Sequence, residues 1–199
     1  GFSDMDVTGE QHYTTISKLE DLSLTRYSIV YNSLEQGVPR MGIWHHTNDI
    51  PVTKNTMLTM HNLHGTLLRY DNVTHNNTAY EAMGGYRSEI QMWQSFDRRT
   101  ADFLPYWQYP NLLEVTSDIK GVDLPKDAIK ASAYVHKDKG RAIIILANLD
   151  LVGYSLRCRI NLKELGFEGK IEDYRIVDPI LNNYYYPVVG DEIRLDIYS

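Results

Sequence analysis

The chain has 199 residues, 43% hydrophobic and 23% charged, a composition typical of folded globular proteins that excludes wholesale disorder. Its 20 Lys and Arg against 26 Asp and Glu give a formal net charge of −6, and no basic run occurs, which argues against a nucleic-acid partner. No apolar stretch approaches the roughly 18 residues that cross a bilayer, so we expect no membrane span.

The first part of the chain alternates between strand and helix patterns. The predicted strands are residues 2–7, 38–44 and 66–70. The predicted helices, with apolar residues recurring every three to five positions, are residues 22–34, 57–64 and 86–96. Gly37 and Gly65 end the first two helices, and the segment 103–107 ends the third. Short connections between alternating strands and helices predict right-handed crossovers and parallel strands.

Three strand-helix units are too few to close a barrel, which takes about 250 residues for eight strands. We therefore predict an α/β region made of the last βα units of a (β/α)8-type barrel, with the earlier units lying upstream in a longer parent chain. A lone Gly at the first position, with no initiator Met, fits such a cut-out. A small open three-layer sheet is the alternative.

The second part of the chain predicts a different architecture. Its strand patterns are residues 129–135, 141–147, 154–162, 170–177, 181–188 and 192–198. The first two are joined by a tight turn ending at Gly140, which supplies the positive φ of a hairpin corner. Short strands with frequent turns predict an antiparallel β-sandwich. The turn-rich run after residue 116 separates the two patterns, so we predict a partial βα-barrel region over 1–115 and a sandwich domain over 116–199.

Polar side chains follow each predicted strand of the first part. Ligands of parallel sheets bind at the carboxyl ends of the strands, where the following loops converge. Asp6, Glu10 and Asp71 are therefore the candidate catalytic carboxylates, since a pair of them could act as general acid and as nucleophile or base on a glycosidic bond. The candidate substrate-binding residues are Trp44, His45, His46, Asp49, Tyr70, Asn72 and Trp107.

Each of these signals also has a structural interpretation. Asp and Asn commonly cap helices and occupy turns. Four histidines, His45, His46, His61 and His64, have no zinc-like spacing, so we predict no metal, and no motif calls for a cofactor. The run 184–186 of three tyrosines could bind carbohydrate, but stacking within the sheet is the commoner use. Cys158, the single cysteine, is predicted to be a buried strand residue.

The order of several segments is similar to that of a known class of enzyme. These segments are Asp6–Gln11, Val38–His46, Phe103–Trp107, Ala131–Val135 and Arg141–Asn148. Together they resemble the end of a bacterial glycoside hydrolase, in which a TIM barrel leads into a C-terminal β-sandwich. The resemblance implies a carbohydrate partner, cleavage of glycosidic bonds and a periplasmic or secreted parent protein. It also implies that five βα units are missing, so that this fragment is inactive alone.

Two other hypotheses for the function remain open at this stage. One is a non-catalytic carbohydrate-binding or scaffold module, in which the second part carries the interaction. The other is a self-sufficient small α/β enzyme within the first 115 residues. A partial barrel would also leave two edges of its parallel sheet exposed, which predicts a homo-oligomer formed through sheet edges.

Overall fold

A computed structural model describes residues 6–8, 40–43, 59, 62–65, 67–69, 85–150, 152–179 and 184–197. In chain order, the strands of the first part are β1 (Asp6–Thr8), β2 (Arg40–Ile43), β3 (Leu67–Arg69) and β4 (Asp102–Leu104). Those that follow are β5 (Leu113–Ser117), β6 (Ile129–His136), β7 (Arg141–Asn148), β8 (Tyr154–Ile160), β9 (Val177–Asp178), β10 (Tyr184–Tyr185) and β11 (Ile193–Ile197). The helices are α1 (Gly85–Phe96) and α2 (Leu162–Leu165).

The first three strands form a parallel sheet in the order β1-β2-β3. Asp6 lies opposite Arg40, and Met41 lies opposite Leu67. The positions of β2 and β3 and the parallel sense of the pairing are as predicted, whereas β1 begins at Asp6, near the end of the strand predicted over residues 2–7. The predicted helix over residues 22–34 lies outside the described residues.

Helix α1 packs its apolar side on strand β6, as the spacing of its aromatic residues predicts. Trp93 and Phe96 are buried in a cluster with Tyr134 of β6, whose ring lies 4.9 Å from that of Trp93. The carbonyl oxygen of Phe96, at the end of the helix, lies 2.7 Å from Nε2 of His136 and accepts from Arg141 at 3.0 Å. These bonds satisfy a carbonyl that no further helical turn can reach.

Strand β6 is the centre of an antiparallel sheet in the order β4-β6-β7, and each of its two faces packs against a different set of side chains. Ala131, Ala133 and Val135 face one core, which includes Leu104 and Leu112. The alternate residues Ser132, Tyr134 and His136 face the side on which α1 packs. Since side chains alternate along a strand, burial of both sets means that β6 is covered on both faces.

A second antiparallel sheet, in the order β11-β8-β5, packs against the first. Leu156, Cys158 and Ile193 form its buried cluster. The side chains common to both cores are Leu113, Leu146 and Ile160. The alternate residues of the same strands form a charged outer surface, where Arg159 pairs with Glu114, Asp191 and Glu192. Cys158 is a buried free thiol in β8, as predicted.

The predicted fold class, βα units of a (β/α)8-type barrel followed by a β-sandwich, is wrong. In the described part of the chain, most strand pairing is antiparallel, the two helices are short, and no βα repeats are visible. After α1 the backbone turns at Asp97, which has a positive φ of 58°, and β4 then pairs antiparallel with β6 instead of continuing a parallel repeat. The segment 103–107, interpreted as a helix end, therefore begins inside a strand.

Two further differences concern the later strands. The predicted strand over residues 170–177 is instead a short 3₁₀ turn over Ile171–Asp173, with β9 only beginning at Val177. Strand β5 was not predicted, and it contains residue 116, the predicted domain boundary. Helix α2 begins at a cap in which Asn161 accepts from the Glu164 backbone N–H at 3.4 Å, and it ends at Gly166 in the left-handed region.

Candidate functional site

The carboxyl ends of the three parallel strands lie at one edge of their sheet. Strand β1 ends at Thr8, which lies opposite Gly42, and Ile43 at the end of β2 lies opposite Arg69 at the end of β3. The three ends are therefore level to within one residue, or about 3.3 Å along the strands. The three strands thus end on the same side of the sheet, as a shared site requires.

Most of the predicted site residues follow this edge in the sequence. Those that lie outside the described residues are Glu10, Trp44, His45, His46, Asp49, Tyr70, Asp71 and Asn72. Glu10 comes two residues after the end of β1, and Asp71 comes two residues after the end of β3. Their roles stay predictions.

Asp6 lies elsewhere on the sheet. It is the first residue of β1 and lies opposite Arg40, the first residue of β2. Two residues, or about 7 Å of extended chain, separate it from the carboxyl end of the strand. The structure thus places Asp6 inside the strand rather than in the loop that follows it.

Trp107 is part of an aromatic group formed around His64. The two rings stack with centroids 5.8 Å apart and planes 17° apart, and Phe103 and Tyr106 contact the indole edge-to-face. Nε2 of the buried His64 lies 3.3 Å from the Tyr106 hydroxyl. Among the described residues, no hydrogen-bond partner reaches the buried indole nitrogen of Trp107.

His64 belongs to a short segment, Asn62 to Gly65, that ends two residues before β3 begins. This segment therefore lies at the amino end of β3, whereas the predicted sugar-binding edge is at its carboxyl end. The contact with His64 places Trp107 near the amino end of that strand. Its predicted role in binding substrate stays a prediction.

A buried polar network joins the same segment to α1 and β6; we name it the Asn62 network, after its central residue. Asn62 donates from its side-chain amide to Glu89 at 2.7 Å and accepts from Arg98 at 3.1 Å. Glu89 also accepts from the indole N–H of Trp93 at 3.3 Å, and Arg98 donates to the hydroxyl of Tyr134. Glu89 is only 2% exposed, so this carboxylate is removed from water and held by protein donors.

Strand β6 also binds the backbone of the segment. The Ser132 hydroxyl donates to the carbonyl of Leu63 at 2.7 Å, and the Tyr134 hydroxyl donates to the carbonyl of Asn62 at 2.9 Å. Ser132 in turn accepts from the backbone N–H of Tyr106 at 3.1 Å. These contacts satisfy backbone carbonyls that would otherwise be buried without a partner.

The network is electrostatically complementary. The guanidinium of Arg98 lies over the rings of Trp93 and Tyr134, at 4.7 and 4.6 Å from their centroids. Burial raises the pKa of Tyr134 to about 12, although the nearby Arg98 opposes the shift, so its phenol is neutral and available as a donor at ordinary pH. With donors and acceptors matched in this way, the Asn62 network is suited to holding the segment before β3 in place.

Sequence reasoning missed this network because its members come from three distant segments. One local signal was present: Ser132 and Tyr134 are polar, yet they alternate with apolar residues in a strand whose two faces are both buried.

The described residues contain no group of three or more His, Cys, Asp or Glu side chains arranged to hold a metal ion. No helix in the described part is long and apolar enough to cross a membrane.

Comparisons with known proteins give no relative: no family model, curated protein or solved structure matches this chain.

Proposed function

We propose that this chain is part of a carbohydrate-active hydrolase that cleaves glycosidic bonds with carboxylates following strands β1 and β3. The observation that carries the proposal is the level, parallel arrangement of β1, β2 and β3. The sequence segments that contain Glu10 and Asp71 therefore follow strands whose carboxyl ends lie at the same edge of the sheet. Two carboxylates that approach one glycosidic oxygen and one anomeric carbon are the minimum that such a reaction needs.

The chemistry requires the two carboxyl groups to differ in protonation. One must be protonated to donate to the leaving oxygen, and the other must be ionised to attack the anomeric carbon or to activate water. Glu10 and Asp71 are the proposed pair, because each comes two residues after a strand that ends at the shared edge. The separation of the two carboxyl groups would decide between retention and inversion of the anomeric configuration.

The proposed substrate contacts come from the segments after β2 and β3. Trp44 and Tyr70, the first residues beyond these strands, offer flat apolar faces for sugar rings. Sugar hydroxyls both donate and accept, and side chains that can bond to them follow in the sequence. These are His45, His46, Asp49 and Asn72.

Hydrolysis of a panel of aryl glycosides tests the proposal. The assay uses this chain and the longest protein that its gene encodes, each as wild type, Glu10→Gln and Asp71→Asn. We expect turnover of at least one glycoside by wild type and losses of about 10²-fold or more in both variants, since each removes a group that acts in the transition state. Wild-type rates in both variants would refute the assignment.

We also propose that the parallel sheet associates with a second copy of the chain through an edge strand. Among the described residues, β1 and β3 each have one neighbour in this sheet, so each leaves one row of backbone groups unpaired there. Light scattering coupled to size-exclusion chromatography measures the mass directly. We expect a dimer of about twice 23.0 kDa, and a monomer at all accessible concentrations would refute this part of the proposal.

A further inference from the structure

The hairpin of β9 and β10 carries exposed aromatic rings at the surface of the second antiparallel sheet. Tyr184 is 57% exposed and Tyr185 is 49% exposed, unusually high values for large apolar rings within strands. The backbone beneath them is fixed, because Tyr186 donates its N–H to the carbonyl of Ile176 at 3.0 Å and packs beside the core cluster of Leu156. The exposed rings therefore lie on a strand that is hydrogen-bonded and packed at Tyr186.

The two faces of the hairpin differ in chemistry. Tyr184 lies directly opposite Asp178, so the two side chains share one face, and Tyr186, two residues on, shares it as well. The rings of Tyr184 and Tyr186 meet edge-to-face with centroids 5.0 Å apart. Tyr185 is on the opposite face, where Val177 is its cross-strand partner. Only one face thus combines an exposed ring with a carboxylate.

The same three side chains, Tyr184, Tyr186 and Asp178, also interact electrostatically. The pKa of the Tyr186 phenol is raised, first by its burial and then by the nearby Asp178 and Tyr184. A carboxylate beside two phenols supplies an acceptor and two hydroxyl groups next to a flat apolar surface. A pyranose needs that combination, because it presents C–H groups on one ring face and hydroxyl groups around its rim.

We propose that Tyr184, Tyr186 and Asp178 form a carbohydrate-binding subsite that holds a sugar unit of a polysaccharide, separate from the proposed catalytic edge. The sugar ring stacks on the exposed Tyr184, while Asp178 and the Tyr186 hydroxyl bind its hydroxyl groups. The choice of a carbohydrate as ligand rests on the proposed function, whereas the shared face and the exposure of Tyr184 do not. Such a subsite would hold the polymer near the enzyme without taking part in bond cleavage.

Affinity electrophoresis of the full chain in gels containing hydroxyethylcellulose, xylan, galactomannan or pectin tests this subsite. We expect at least one polymer to retard wild type and Tyr184→Ala to weaken binding by about tenfold, the equivalent of about 1.4 kcal/mol for a lost ring contact. Tyr184→Phe keeps the ring and should bind within about twofold of wild type. Tyr185→Ala is the matched control, since it removes a ring of similar exposure, 49% against 57%, from the other face and should leave retardation unchanged.

Three outcomes would overturn the subsite: no retardation by any of the four polymers, wild-type retardation of Tyr184→Ala, or an equal loss in Tyr185→Ala. Thermal unfolding of each variant shows that any loss is not caused by unfolding. The catalytic variants separate the two proposals. Retardation without aryl glycoside hydrolysis by either this chain or the longest protein that its gene encodes supports the subsite and refutes the hydrolase. Hydrolysis unaffected by Tyr184→Ala, without retardation, refutes the subsite alone.

Discussion

Asn62 and Glu89, 27 residues apart in the sequence, are joined by a 2.7 Å hydrogen bond between two buried side chains. The bond connects the segment that leads into β3 with the helix that packs on β6. A buried carboxylate that accepts from an amide and an indole contributes to stability chiefly because removing it would leave buried donors without this acceptor. This pair is therefore a link between the parallel sheet and the antiparallel part of the protein.

Replacement of Glu89 should destabilise the fold more than a surface mutation. Glu89→Ala leaves the buried donors of Asn62 and Trp93 without this acceptor, and we expect the free energy of unfolding to fall by about 3 kcal/mol. Glu89→Gln keeps an acceptor oxygen and should cost less, about 1–2 kcal/mol. Urea unfolding measures both values, with exposed Glu168→Gln as the control. Equal midpoints for Glu89→Ala and the control would contradict the importance of the network.

Gly65 should tolerate no larger residue. Its φ is +76°, and a Cβ built there would lie 2.8 Å from Cε1 of Phe103. We expect Gly65→Ala to lower the free energy of unfolding by about 2–3 kcal/mol, from backbone strain together with displacement of the Phe103 ring. Gly140→Ala is the matched control, because φ is +57° there but nothing lies within 4 Å. A loss at Gly65 no greater than that at Gly140 would show that the ring moves away freely.

Tyr134 should make the protein sensitive to alkali. Burial raises its pKa from 10.0 to about 12, so the folded state holds this proton more tightly than the unfolded state does. The resulting stability is present below pH 10 and is lost as pH rises towards 12, by about 3 kcal/mol for a shift from 10.0 to about 12. Tyr134→Phe should be less stable than wild type at pH 8, because the Asn62 carbonyl loses a donor. Between pH 10 and 12 the variant should lose less stability than wild type, because it has no phenol to ionise. If the free energies of unfolding of wild type and Tyr134→Phe fell equally between pH 10 and 12, this assignment would be contradicted.

The thiol of Cys158 should be inert in the folded protein. It is 1% exposed, and its pKa is raised to about 12, first by burial and then by Glu192. We therefore expect no reaction with Ellman's reagent at pH 8 in the absence of denaturant and one thiol per chain in 8 M urea, since the thiolate is the reacting species. Rapid labelling of the native protein would mean that β8 opens readily.

Hydrophobic periodicity was enough to locate α1, the parallel strands and much of the later antiparallel sheet. It failed where a single backbone conformation redirects the chain. Asp97, with its positive φ, sends the chain from α1 into β4, and nothing in the local pattern distinguishes that turn from the start of another repeat. The barrel prediction extended three local units into a larger barrel, whereas in the described residues most strand pairing is antiparallel and no βα repeats are visible.

The Asn62 network could not be predicted in the same way. Apart from the bond from Trp93 to Glu89 within α1, its hydrogen bonds span 27 to 72 residues, and periodicity reports on neighbours within a few positions only. The carboxylates of the proposed catalytic edge, in contrast, are predicted from a local signal, because they follow strands closely in the sequence. That choice depends on strand direction, which the parallel pairing of Thr8 with Gly42 and of Ile43 with Arg69 supports for the sheet itself.

Chemical rescue of the two carboxylate variants tests the proposed hydrolase most directly. Glu10→Ala and Asp71→Ala are assayed on activated aryl glycosides with and without sodium azide, a small anion that can enter the space of a removed carboxylate. We expect both variants to lose turnover and azide to restore it in at least one of them, with a glycosyl azide as product. Wild-type turnover in both variants without azide would contradict the account.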